Sequence, residues 1–269
     1  MVAGLLLFET SLAVMASCGW AADGGPSGSA VRLPNSIPPV MVTWFWREEE
    51  FEPEGFKPHV DLVARYSAAD VLATSLRVWK KEVTDDDVRR QIHAATLYAR
   101  RHGIGVAMDL DVRLAREAFR KAYPDELEGM LRLREIDLAD QGQVVLTIPS
   151  EDLSDHYTFR TIHYIPLSGQ LLRVYSYLRG PGGIRPETVV DITGSQGEIR
   201  VAGEKEVTVA IACDSQSKGR KACVMACFTH LVPSVFAPHL LEFQRGIIER
   251  YREVPLAGVC KDEWGFPPC

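Results

Sequence analysis

Three runs of strand length, Val40–Trp46, Val71–Leu76 and Gly105–Leu110, are apolar almost throughout and are separated by helical patterns. A strand that is apolar on both faces must be covered on both, which favours a parallel sheet wrapped by helices over a half-exposed antiparallel one. The intervening segments fit that reading. Pro58 to Tyr66 forms a short amphipathic repeat, and Val88, Ile92, Ala95 and Ala99 fall on one face of a longer helix. Thr84-Asp-Asp-Asp87 supplies a capping start with acids at the positive end of the dipole. Arg100, Arg101 and His102 complement the other end, and Gly103 stops the helix.

The pattern then changes. After a helix near Leu114 to Tyr123 and a second helical stretch from Pro124 to about Leu133, residues 135–230 are dominated by alternating strand-like runs. These are Val144–Ile148, Tyr157–Ile165, Leu171–Leu178, Thr188–Ile192, Val207–Cys213 and Ala222–Phe228, separated by turns such as Gly180-Pro-Gly-Gly183. They predict an antiparallel β-sandwich. Helix and strand resume with Pro238–Arg252 and Leu256–Cys260. The expected fold is α/β: a partial TIM-type barrel of about four βα units, interrupted by a β-sandwich insertion. In residue terms, 38–134 are the first βα units, 135–230 the insertion, and 231–269 the return to the barrel.

Ahead of this, residues 1–22 carry two apolar runs, Leu5–Phe8 and Leu12–Met15, followed by small residues, and read as an export signal. The expected location is secreted, periplasmic or cell-envelope. Met15-Ala-Ser-Cys18 loosely resembles a lipoprotein cleavage box, which would place a lipid anchor on Cys18. The segment is too short and too charged for a permanent membrane span. Residues 23–37 are rich in Gly, Ser and Pro and read as a flexible linker. A net charge of −6 offers no polybasic surface and argues against nucleic acid as a partner. Glycine-rich phosphate loops and a nucleophile elbow are absent, so no nucleotide cofactor or serine hydrolase chemistry is indicated. Cys213, Cys223, Cys227, Cys260 and Cys269 read either as free thiols or, among the first three, as a cross-strand disulfide. They provide no metal site with the histidines.

Parallel strands share one rim at their C-terminal ends, and what each strand delivers there is the functional signal. The first brings Trp46 and Arg47, the second Arg77 and Trp79, the third Asp109 and Asp111, and the last Asp262, Glu263 and Trp264. Aromatic platforms, arginines and carboxylates together suit a carbohydrate, because an indole packs on the apolar face of a pyranose and a carboxylic acid can protonate a glycosidic oxygen. Plainer roles stand beside these. Trp44 and Trp46 alternate with Phe45, so one face is core, and Glu48–Glu50 reads as a solvated turn. Asp109 and Asp111 also suit helix capping or ion pairs with Arg113 and Arg116. The competing functional expectation is a non-catalytic, exported carbohydrate-binding or cell-surface protein that uses the β-domain.

The strand followed by Asp262-Glu263-Trp264-Gly265, after a helix containing Glu249-Arg-Tyr251 and a turn through Pro255 and Gly258, resembles clan A glycoside hydrolases. The likeness is to β-galactosidase-like (β/α)8 barrels, whose general acid/base Glu ends the fourth strand. The resemblance implies a glycosidase acting on poly- or oligosaccharide, with Glu263 as acid/base, Asp262 beside it, and Trp46, Arg47, Arg77, Trp79, Asp109, Asp111 and Trp264 as subsite residues. Asp262 stands where those families carry Asn. A second catalytic Glu, which the family places at strand seven, has no counterpart, so the chain is expected to lack the full constellation by itself. Half a barrel exposes a sheet edge, which invites self-association or a completing chain.

Overall fold

A computed structural model describes residues 38–78, 80–150 and 165–261. These fall into two compact units, one of residues 38–78, 90–109 and 254–261, the other of residues 80–89, 110–150 and 165–253.

The first unit is built on a four-stranded sheet of order β1-β2-β3-β13, with β1 Met41–Trp46, β2 Val71–Leu76, β3 Gly105–Asp109 and β13 Gly258–Cys260. Its three pairings are all parallel. Strands in sequential order are what a (β/α) barrel wall requires, whereas a doubly wound sheet reverses direction at an interior strand. The expected α/β class with βα units is therefore the observed one. Helix α1 (Lys57–Tyr66) joins β1 to β2, and α2 (Asp86–Arg101) joins β2 to β3. Ile92, Ala95 and Ala99 of α2 are fully buried, as their spacing demands. Gly103, at φ +78, takes the left-handed conformation that ends the helix, and the Ile104 amide reaches back to the Ala99 carbonyl. The return of β13 to β3 pairs Cys260 with Asp109.

Within the second unit two antiparallel sheets face each other. One has order β10-β11-β5, with β5 Gly142–Pro149, β10 Gly197–Ala202 and β11 Glu206–Cys213. The other has order β4-β12-β6-β9, with β4 Leu127–Asp137, β6 Pro166–Tyr177, β9 Val190–Asp191 and β12 Lys221–Pro233. Ile148, Val207, Val209 and Ile211 from the first sheet and Val174, Ala222, Val224, Ala226 and Phe228 from the second form one buried core. A small hairpin pairs β7 (Arg179–Gly180) with β8 (Gly183–Ile184). Helices α3 (Arg116–Ala122) and α4 (Leu240–Arg250) belong to this unit. Gln244 of α4 clamps the chain leaving β3, accepting from the Val112 amide and donating to the Leu110 carbonyl.

One expectation needs correction. The stretch from Pro124 to Leu133 is not helical: Leu127–Asp137 is strand β4, paired with β12 from Leu127↔Pro233 to Asp137↔Lys221. Leu127, Met130 and Leu131 happen to carry helical spacing, but the long ladder to β12 outweighs that local preference. Of the two readings of the cysteines, the free thiol holds for Cys213, Cys223 and Cys227. Cys223 and Cys227 do share one strand face, yet four residues of extended chain separate them by ~13 Å, far beyond disulfide reach. The expected leader, the linker, Cys18, Cys269 and the run Tyr157–Tyr164 lie outside the described residues.

Candidate functional site

The first unit carries a cavity of about 660 Å³ at the C-terminal end of β1, within the ~300–1,000 Å³ range of small-molecule sites. Its lining includes Phe45, Trp46, Arg47, Glu50, His59 and Arg77. Strand alternation decides what each contributes. Trp44 and Trp46 point to the buried face, each 1% exposed, and their rings stack with centroids 4.3 Å apart. His59 of α1 stacks on Trp44 at 4.8 Å. Phe45 points the other way and is 49% exposed.

Glu50 is the unexpected member. Instead of lying in a solvated turn, it is only 6% exposed, folded under the 3-10 turn Glu48–Phe51. Its Oε1 accepts from the Trp44 indole N–H at 2.9 Å, and its Oε2 accepts from the Arg47 amide at 2.6 Å. Gln91 of α2 donates to the Glu50 carbonyl at 2.7 Å. Gly55 permits this arrangement, since a Cβ there would sit 2.0 Å from the Glu49 carbonyl oxygen. Burial lowers the His59 pKa from its ordinary value, with Glu50 opposing and Arg47 adding to the effect, so the ring is neutral at pH 7. Among the described residues, Trp46 Nε1 and His59 Nε2 are buried polar atoms without a hydrogen-bond partner.

On the opposite sheet face a polar row crosses the strands. Phe45 pairs with Ser75, the Ser75 hydroxyl donates to Asp109 Oδ2 at 2.9 Å, and Asp109 pairs with Cys260. Asp109 is 2% exposed although it ends its strand. Arg47, extended at φ −118 and ψ 169, lies two residues beyond Phe45, and Arg77 lies two beyond Ser75. Both therefore continue the Phe45–Ser75 face. The Arg77 guanidinium stands over the Phe45 ring, 5.3 Å from its centroid.

The candidates named from sequence thus separate. Trp46, Arg47 and Arg77 line one cavity, and Asp109 belongs to the adjoining row. Asp111 lies in the second unit, where Oδ1 caps the Arg113 amide at 2.8 Å and Oδ2 meets Arg113 Nε at 3.1 Å. Trp79, Asp262, Glu263 and Trp264 lie outside the described residues. Sequence reasoning missed Phe45, Glu50 and His59. Phe45 was legible as the odd member of the Trp44–Trp46 alternation, whereas nothing local marks Glu50 as buried or brings His59 to it. Among the described residues no cluster of His, Cys, Asp or Glu is composed to hold a metal ion, and no helix is long and apolar enough to cross a membrane. The chain matches no protein-family model, no curated protein and no solved structure.

Proposed function

We propose that this chain is a carbohydrate-active protein of glycoside hydrolase type, holding a saccharide at the C-terminal ends of β1, β2 and β3, with Glu263 as the general acid/base of a constellation whose second carboxylate a further segment or chain supplies. The observation that supports this most is the shared rim: the parallel order β1-β2-β3-β13 puts an exposed aromatic ring, two arginines and a buried carboxylate at the same ends of adjacent strands. Phe45 offers its face to the apolar side of a sugar ring. Arg47 and Arg77 donate to its oxygens, and Asp109, oriented by the Ser75 hydroxyl, accepts from a sugar hydroxyl. Cys260, the last residue of β13, pairs with Asp109 and precedes Asp262 by two positions in the sequence. A general acid protonates the departing glycosidic oxygen, a contribution of about 10²–10⁴-fold in rate, and that is the role proposed for Glu263.

The test is Glu263→Gln, measured on aryl and natural glycosides together with equilibrium binding. In the assembly that supplies the second carboxylate, turnover is expected to fall by about 100-fold or more, while saccharide binding stays within about threefold. Wild-type turnover that survives the substitution overturns the assignment of Glu263. Absence of any saccharide binding by the wild-type chain overturns the whole reading.

A further inference from the structure

Arg47 and Arg77 follow directly on the paired residues Trp46 and Leu76, so they leave adjacent parallel strands at the same height. Neighbouring strands lie ~4.8 Å apart, a spacing at which two guanidinium groups can each engage one oxygen of a single carboxylate. Both side chains line the same cavity. From this juxtaposition we infer that the saccharide taken by this rim is an acidic one, with its carboxylate held between Arg47 and Arg77 and its ring against Phe45. The inference rests on the carbohydrate reading above and narrows it to uronic-acid-type substrates.

The glutamates around Arg47 do not cancel its attraction. Glu50 has both oxygens engaged by the Trp44 indole and the Arg47 amide, so it acts as part of the wall. Glu49 meets Arg47 at 3.8 Å, with side chains 69% and 75% exposed, a surface pair of little strength that a bound anion can replace. Glu48 also lines the cavity but is exposed, where solvent and salt screen it. Arg77 is half-buried over Phe45, with its charge in the less hydrated part of the site.

The experiment compares binding of trigalacturonate with that of its methyl ester, by calorimetry on the full chain. Esterification removes the charge and keeps the sugar. The acid is expected to bind about tenfold tighter than the ester, and only the acid should weaken as salt is raised. Arg47→Gln or Arg77→Gln should remove most of that preference, weakening binding of the acid about tenfold more than binding of the ester. Arg47 is exposed, so its variant does not depend on the fold tolerating a change in the wall. Equal binding of acid and ester overturns the inference but leaves the saccharide reading in place. Failure of acid, ester and neutral oligosaccharides alike removes both. Acetate binding as tightly as trigalacturonate would mark a plain carboxylate site and also overturn the inference.

Discussion

Glu50 is the residue on which the geometry of the cavity turns. Its carboxylate joins the Trp44 indole to the Arg47 amide, so it ties the aromatic stack to the residue that begins the rim. Glu50→Ala leaves the buried Trp44 indole and the part-buried Arg47 amide without an acceptor, and the expected loss of stability is about 2–4 kcal/mol. Glu50→Gln keeps a carbonyl oxygen for one of them and should lose less. Urea denaturation of the two variants checks the order, and the account fails if Glu50→Ala is as stable as the parent chain. How little of this was visible in the sequence is instructive. The alternation Trp44-Phe45-Trp46 foretells which rings are buried, because a strand's period of two is a local property. The fate of Glu50 is not local: it depends on a 3-10 turn, on Gln91 from another helix, and on Gly55, whose missing Cβ leaves room for the Glu49 carbonyl.

At the level of elements, strands β1, β2 and β3 and helix α2 were legible because each carries a full periodic signature with a defined start or stop. Strand β4 was not, because its partner lies far along the chain and its apolar spacing favours a helix when taken alone. The turn after β3 shows how one acid serves two readings. Asp109 ends the strand under the Ser75 hydroxyl, whereas Asp111 is the N-cap of the 3-10 helix Val112–Ala115 and pairs with Arg113. Capping explains Asp111 without any ligand. Asp111→Ala should therefore cost about 1–2 kcal/mol in thermal or chemical unfolding, and Asp111→Asn, which retains the cap but not the charge, distinctly less. If the two variants lose the same stability, the ion pair with Arg113 rather than the cap holds the turn.

For the molecule as a whole, a loss of stability in acid is expected from one group in the second unit. His230 on β12 is 2% exposed, and burial, with Arg132 adding to it, lowers its pKa to about 4. In the unfolded chain the same ring takes up a proton near its ordinary value of 6.5. Between those two values the unfolded state binds more protons than the folded state, so stability falls as pH falls. The loss begins near pH 6.5, continues to about pH 4, and reaches at most about 3 kcal/mol, less any relief from solvent reaching the ring. Below that range the ring is charged in both states and contributes no further slope. His230→Gln keeps a hydrogen-bonding side chain but removes the titration. Its unfolding free energy should be lower than that of the parent at pH 7 and should converge toward it as the pH drops to 4. Parallel curves for the two proteins across this range would assign the acid sensitivity to other groups. The distinction matters for the proposed chemistry, because His230 belongs to the sandwich while Phe45, Arg47, Arg77 and Asp109 belong to the parallel sheet. A pH optimum for saccharide turnover must therefore be read at pH values where the second unit is still folded, which the unfolding free energy of the parent chain across pH 4 to 7 defines.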